Sequence, residues 1–259
     1  MLISWLKTQA YAFASAVRFL SVIPLPQLPG EKERDWRQDL ISSLFFYPTV
    51  GLLLGFIFVL LAEGLQGIFQ PALLAVILLT VWICLSGALH LDGLADCADA
   101  CVGGLGSSEK TLMIMKDPAC GPVGVSAIVV VLLLKFSALQ ELVSSGLPNI
   151  YLLLPPLLGR YSIVLMRLTT PYVRDGGIGE DVFKLSPVWP LIIQSLIVLI
   201  SIIYFFPGVF VGLFSLLALV FFFVRRACIS RLTGCTGDVL GALVELIEVA
   251  TLVALCLYF

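Results

Sequence analysis

The stretch Gly87-Ala-Leu-His-Leu-Asp-Gly-Leu-Ala-Asp-Cys-Ala-Asp-Ala100 decides how the rest of the chain is read. It ends a long apolar run and carries three carboxylates, Asp92, Asp96 and Asp99, spaced by four and then three. At about 100° per residue a helix sets them within roughly 60° of one another, on one face. Acids grouped in this way repel one another unless a cation holds them. Carboxylate oxygens at the end of an apolar span suit Mg²⁺ and a phosphate chemistry.

The surroundings are those of a membrane protein. Of 259 residues, 60% are hydrophobic and 12% charged, with a mean hydropathy of +1.08; soluble domains are about 25% charged. The expected fold is an all-α polytopic bundle in one domain, 1–259, whose segment 1–38 is cytoplasmic or interfacial. A crossing needs about 20 apolar residues. About seven stretches qualify, near 40–62, 71–91, 119–142, 150–169, 188–206, 208–224 and 238–258, the last weakened by Glu245 and Glu248. Trp5 to Leu20 reads as an amphipathic helix lying on or dipping into the inner leaflet. It lacks the basic start of a signal peptide. Thr170 to Pro187, with Gly176, Gly177 and Gly179, reads as a flexible loop.

Charge sets the orientation. Lys7, Arg18, Lys32, Arg34, Arg37, Lys110, Lys116, Arg174, Lys184, Arg225, Arg226 and Arg231 fall on one side of this layout. The opposite connections, near 63–70, 143–149 and 207, carry no Lys or Arg. The positive-inside rule places the amino terminus and the acid-bearing side in the cytoplasm.

Other residues extend the acidic patch. Thr233-Gly-Cys-Thr-Gly-Asp238 opens the last span on the same side, and Glu245, seven residues on, shares a helix face with Asp238. Two acidic helix ends facing each other would hold Mg²⁺ bridging a pyrophosphate. Glu245 also reads as a buried acid paired with Arg160 or another intramembrane base. His90, the only histidine, suits a general base. On a regular helix it points about 160° away from Asp92, so either Gly93 breaks the helix or His90 is a structural hydrogen-bonder. Lys116-Asp-Pro118 with Gly121 and Gly124 opens the third span as a phosphate-binding helix start. Arg160 lies deep and needs an acid or an anionic ligand, Arg167 snorkels, and Arg231 is a phosphate contact or an anchor. Seven scattered cysteines form no C-x-x-C pair; Cys97 and Cys101 read as apolar fillers before they read as metal ligands.

These motifs together resemble the cobalamin synthase (adenosylcobinamide-GDP ribazoletransferase) family. The resemblance is carried by GALHLDGLADCAD from Gly87 to Asp99, by Met115-Lys-Asp-Pro118 with its glycines, and by Gly159-Arg160. Thr236-Gly-Asp238 with Gly241 and Glu245, and Arg18-Phe-Leu-Ser-Val-Ile-Pro-Leu-Pro26, complete it. Ala100 and Pro118-Ala-Cys120 depart from the family pattern. The resemblance implies an Mg²⁺-dependent enzyme of the bacterial inner membrane. It would join adenosylcobinamide-GDP to α-ribazole or its 5′-phosphate and release GMP. On that reading Asp92, Asp96, Asp99, Asp238 and Glu245 hold Mg²⁺, His90 or a carboxylate such as Asp96 takes the hydroxyl proton, and Lys116, Arg160 and Arg231 contact substrate phosphate.

Three rivals compete with it. A CDP-alcohol-type lipid phosphotransferase shares an Asp-Gly-rich helix end, but its motif continues with Ala-Arg and a longer gap to later aspartates. A prenyltransferase needs D-D-x-x-D, which is absent. A cation-coupled transporter would carry its acids near the midplane and between inverted repeats.

Overall fold

Proline and glycine punctuate an otherwise continuous apolar sequence, and they set where the chain turns. The computed structural model describes residues 2–174, 178–208 and 210–258. The helices are α1 Leu2–Leu20, α2 Trp36–Ser43, α3 Tyr47–Leu65, α4 Pro71–Ser86, α5 Leu89–Gly103, α6 Ser108–Ile114, α7 Pro122–Ser144, α8 Leu154–Thr169, α9 Ile178–Leu185, α10 Val188–Phe205, α11 Phe210–Leu232 and α12 Gly237–Tyr258. Pro48, Pro71, Pro122 and Pro155 each sit in the first turn of a helix. There the missing N–H has no partner to lose.

Among the described residues six helical stretches are long and apolar enough to cross a membrane: Trp36–Leu65, Pro122–Ser144, Asn149–Thr169, Val188–Phe205, Phe210–Leu232 and Gly237–Leu257. The bent pair α4–α5 passes the same test of length and composition when its two helices are taken together as one span. The chain is thus an all-α, multi-pass helical bundle. α12 and α8 form its centre, with 83% and 78% of their apolar windows buried. α11 and α10, at 11% and 22%, lie outside and turn Phe222, Phe223, Ile193 and Ile197 outward, as lipid-facing helices do.

The bend corrects one expectation. The aspartates do not sit on an extension of the second span: α5 leaves α4 at 86°. The break is at Gly87 and Ala88, both left-handed, and α5 runs unbroken through Gly93. Gly87 N–H donates to Cys84 O at 3.2 Å and Ala88 N–H to Ile83 O at 3.3 Å, a Schellman stop that satisfies the last carbonyls of α4. Ala88 pays about 1–2 kcal/mol for its left-handed backbone. Val22 N–H donates to Leu85 O at 2.8 Å, strapping the segment after α1 over this corner. The acid-bearing α5 packs across α7 and α12.

α1 starts earlier than expected, and one of its faces packs on the bundle. Ala12, Ala16, Val17 and Leu20 are buried against the bundle, whereas Trp5 and Leu6 are exposed. The predicted loop 170–187 contains α9, whose Val182 and Phe183 are buried; Gly176 and Gly177 lie outside the described residues.

Close backbone contact between α5 and α12 positions the acids. A Cβ on Gly93 would stand 2.7 Å from Asp238 O and 3.0 Å from Asp238 Cα. Gly93→Ala must therefore push the two helices apart. We expect a loss of about 1–3 kcal/mol, seen as a lower midpoint of thermal unfolding in detergent. An unchanged midpoint would show the contact to be loose.

Candidate active site

The three aspartates of α5 share a face, as their spacing requires, yet they do different work. Asp99 accepts from the N–H groups of Gly121 (2.7 Å, Oδ2) and Gly124 (2.9 Å, Oδ1). α7 begins with Pro122, and its own N-cap, Gly121, has no side chain, so Asp99 caps it from another helix. The helix start expected to bind phosphate is thus filled by the protein's own carboxylate. A Cβ on Gly121 or Gly124 would meet that carboxylate at 2.6 or 2.5 Å. Asp99→Ala is expected to cost about 1–2 kcal/mol, whereas Asp92→Ala leaves stability unchanged or raised. Paired thermal melts in detergent check this, and equal losses would contradict it.

Asp92 and Asp96 have no hydrogen-bond or ion-pair partner among the described residues. Being four apart on one helix, they repel. Asp238, in the first turn of α12, faces them and pairs with Arg174 at 3.1 Å. The charges of Asp92, Asp238 and Asp99 surround Asp96 and repel its own. Arg174 was legible only as one more basic loop residue. Its place is fixed by backbone pairing across the loop, Val173 N–H to Cys235 O at 3.0 Å and Cys235 N–H to Pro171 O at 2.9 Å. Beside the acids lies a cavity of about 180 Å³ whose lining includes Tyr47, His90, Asp92, Tyr172, Phe183 and Asp238.

The deep charges form a second, separate group. Glu245 is not with the aspartates: Lys135 Nζ reaches it at 2.8 Å and Glu248 at 2.5 Å. Arg160, fully buried, pairs with the other oxygen of Glu248, and its Nη2 lies 3.5 Å from His90 Nδ1. Lys135 also sits 4.7 Å from the centre of the Trp82 ring. Two cations and two carboxylates thus balance inside the bundle, where a lone charge would be costly. Gly159 makes room, since a Cβ there would stand 2.9 Å from Glu248 Cγ. Sequence reasoning missed Lys135, whose only signal is a single base within an apolar run.

Lys116 is exposed on the turn between α6 and α7. Arg231 donates to Cys101 O at 2.7 Å, tying α11 to the end of α5. All seven cysteines are unpaired.

Among the described residues no three His, Cys, Asp or Glu side chains close into a ready metal cage. The donor set nevertheless fits Mg²⁺. Two unpartnered carboxylates face a third, all three are hard oxygen donors, and Mg²⁺ is commonly held by one or two carboxylates together with substrate phosphates.

Comparison with known proteins settles the family. The profile of the family described as cobalamin-5-phosphate synthase matches residues 12–256. The chain belongs to that family. It is 46% identical over 249 residues to the adenosylcobinamide-GDP ribazoletransferase of Pseudomonas fluorescens SBW25, covering 95% of this chain and 99% of that one. The protein of the same name from Pseudomonas putida KT2440 is 46% identical over 253 residues (95% and 98% covered). That of Pseudomonas syringae pv. syringae B728a is 42% identical over 246 residues (95% and 98%). No solved structure matches. The chain is therefore an enzyme, a transferase of cobalamin biosynthesis embedded in a membrane.

Proposed function

We propose that this protein joins adenosylcobinamide-GDP to α-ribazole or its 5′-phosphate and releases GMP, in an Mg²⁺-dependent reaction at the cytoplasmic face of the bacterial inner membrane, with the amino terminus in the cytoplasm. The observation that carries the reading is the unpartnered pair Asp92 and Asp96 facing Asp238 across the α5–α12 contact. The names of the relatives support the substrates, and the one-sided distribution of Lys and Arg supports the orientation.

Asp92, Asp96 and Asp238 would hold Mg²⁺, which supplies charge stabilisation on the pyrophosphate. A ribose hydroxyl of the acceptor forms a bond to a phosphorus of the pyrophosphate, the P–O bond to the GMP phosphate breaks, and GMP leaves. Asp96 would be a ligand of the cation, and a carboxylate of the cluster not engaged by it would take the hydroxyl proton. Arg174, which pairs with Asp238 at 3.1 Å, would neutralise the phosphate beside it. Lys116 and Arg231 contribute to the positive approach rather than to the acid cluster.

The test is GMP formation by the purified protein in detergent or nanodiscs. GMP should appear only when both substrates and Mg²⁺ are present, and chelation should stop it reversibly. GMP formed at the same rate without the riboside acceptor, or in excess chelator, would overturn the reading.

A further inference from the structure

We propose that the cavity between α5, α11 and α12 takes an acyl chain of an anionic phospholipid, and that Arg231 and Lys110 bind the phosphate of that lipid at the membrane surface. The inference goes beyond the transfer reading and does not depend on it.

The cavity lies behind the acids. Leu94, Cys97 and Cys101 of α5 line it, on a helix stripe about 180° from the one that carries Asp92, Asp96 and Asp99. Ala227 and Cys228 of α11 and Leu246 of α12 form the other walls. It measures about 220 Å³, and Arg231 is the one charged side chain in its lining among the described residues. An apolar cavity of about 150 Å³ takes benzene, so this one has room for a segment of acyl chain. Lipid is what reaches its rim. Only 11% of the apolar window of α11 is buried, and Ala227, which lines the cavity, is exposed. A chain entering there gives the wall atoms contacts that they otherwise lack.

The rim supplies the charge. Arg231 stands one turn beyond Ala227 and Cys228 on the same stripe of α11. Its Nη1 donates to Cys101 O at 2.7 Å, and no carboxylate pairs with it among the described residues. The rest of its planar fork suits a phosphate. Ser108 Oγ donates to Arg231 O at 2.5 Å. That bond brings the start of α6 to the rim, with Lys110, which is exposed and likewise without a carboxylate partner among the described residues. Exposed Glu109 offsets part of this charge, and exposed Lys116 adds to it. Val102, Leu105 and Met113 are exposed apolar side chains set along the same segment as Lys110 and Lys116. At the headgroup boundary both kinds are satisfied at once: the apolar groups meet acyl chains and the cations meet phosphates.

The experiment follows thermal unfolding of the full-length protein in a neutral detergent while lipid is titrated in. Dioleoyl phosphatidylglycerol should raise the midpoint at an about 10-fold lower concentration than dioleoyl phosphatidylcholine, which has the same chains. Inorganic phosphate at those concentrations should leave the midpoint where it is. Arg231→Gln and Lys110→Gln should each lose most of the preference for the anionic lipid. Arg226→Gln, about 140° from Arg231 around α11, should keep it. Ala227→Phe leaves both cations in place and fills the cavity; it should lose the response to both lipids, and it provides the test if Arg231→Gln does not fold. Equal responses of the wild type to the two lipids would overturn the inference, as would an anionic-lipid response that survives in Arg231→Gln or in Ala227→Phe. A loss in Arg226→Gln as large as that in Arg231→Gln would reduce the effect to general surface charge and also overturn it. A response to inorganic phosphate equal to that of the lipid would do the same, since no chain would then be bound.

Discussion

Asp96→Asn is expected to lower transfer by about 10³-fold or more while the protein remains as stable as wild type, or more stable. The two halves of this result have one cause. Asp96 has no protein partner, and Asp92, Asp238 and Asp99 all push against its charge. An amide of the same shape removes that repulsion, so folding loses nothing. The same change removes a carboxylate oxygen from the proposed cation site. A residue kept for structure would lose stability and activity together; a residue kept for chemistry loses only the second. Parallel measurement of GMP formation and of thermal unfolding in detergent checks it. Turnover within tenfold of wild type would remove Asp96 from the site.

Lys135→Met is expected to have the largest effect on stability, about 3–5 kcal/mol. The reason is arithmetic of charge in a place without water. Lys135 and Arg160 oppose Glu245 and Glu248, and all four are buried. Deleting one cation leaves two carboxylates to a single guanidinium. The cluster joins α7, α8 and α12 and, through His90, touches α5, so its failure loosens the whole frame around the acids. Lys135→Met combined with Glu245→Gln restores the balance and should recover part of the loss, a coupling that distant sites do not show. Thermal unfolding of the two variants decides it. A single variant as stable as wild type, or a double variant no better than the single, would contradict the account.

The crossings were legible because an apolar run of about 20 residues has few other uses. The corner before α5 was not. Hydropathy continues from Pro71 through Leu91, and the left-handed pair depends on Ala88, which carries no local signal for that conformation. The acids were legible as a group by spacing, but spacing reports only the face. Asp238 and Glu245 share a face, yet seven residues separate them by about 10 Å along the helix, enough to place one at the mouth and the other beside Lys135. Asp99 shows a different limit: nothing in a spacing of three reveals that the amides of Gly121 and Gly124 consume it. The angle of His90 to Asp92 leaves two readings open in the sequence, and in the structure its Nδ1 lies 3.5 Å from Arg160 Nη2.

The central claim is that acids from α5 and α12 hold the cation on which the transfer depends. Mn²⁺, which prefers the same hard oxygen donors, makes it directly measurable by electron paramagnetic resonance on the purified protein. Bound Mn²⁺ should be weak in the protein alone, tighter when a nucleoside diphosphate is added, and lost in Asp92→Asn and Asp96→Asn. Binding of equal strength in wild type and in both variants, with the diphosphate present, would contradict it.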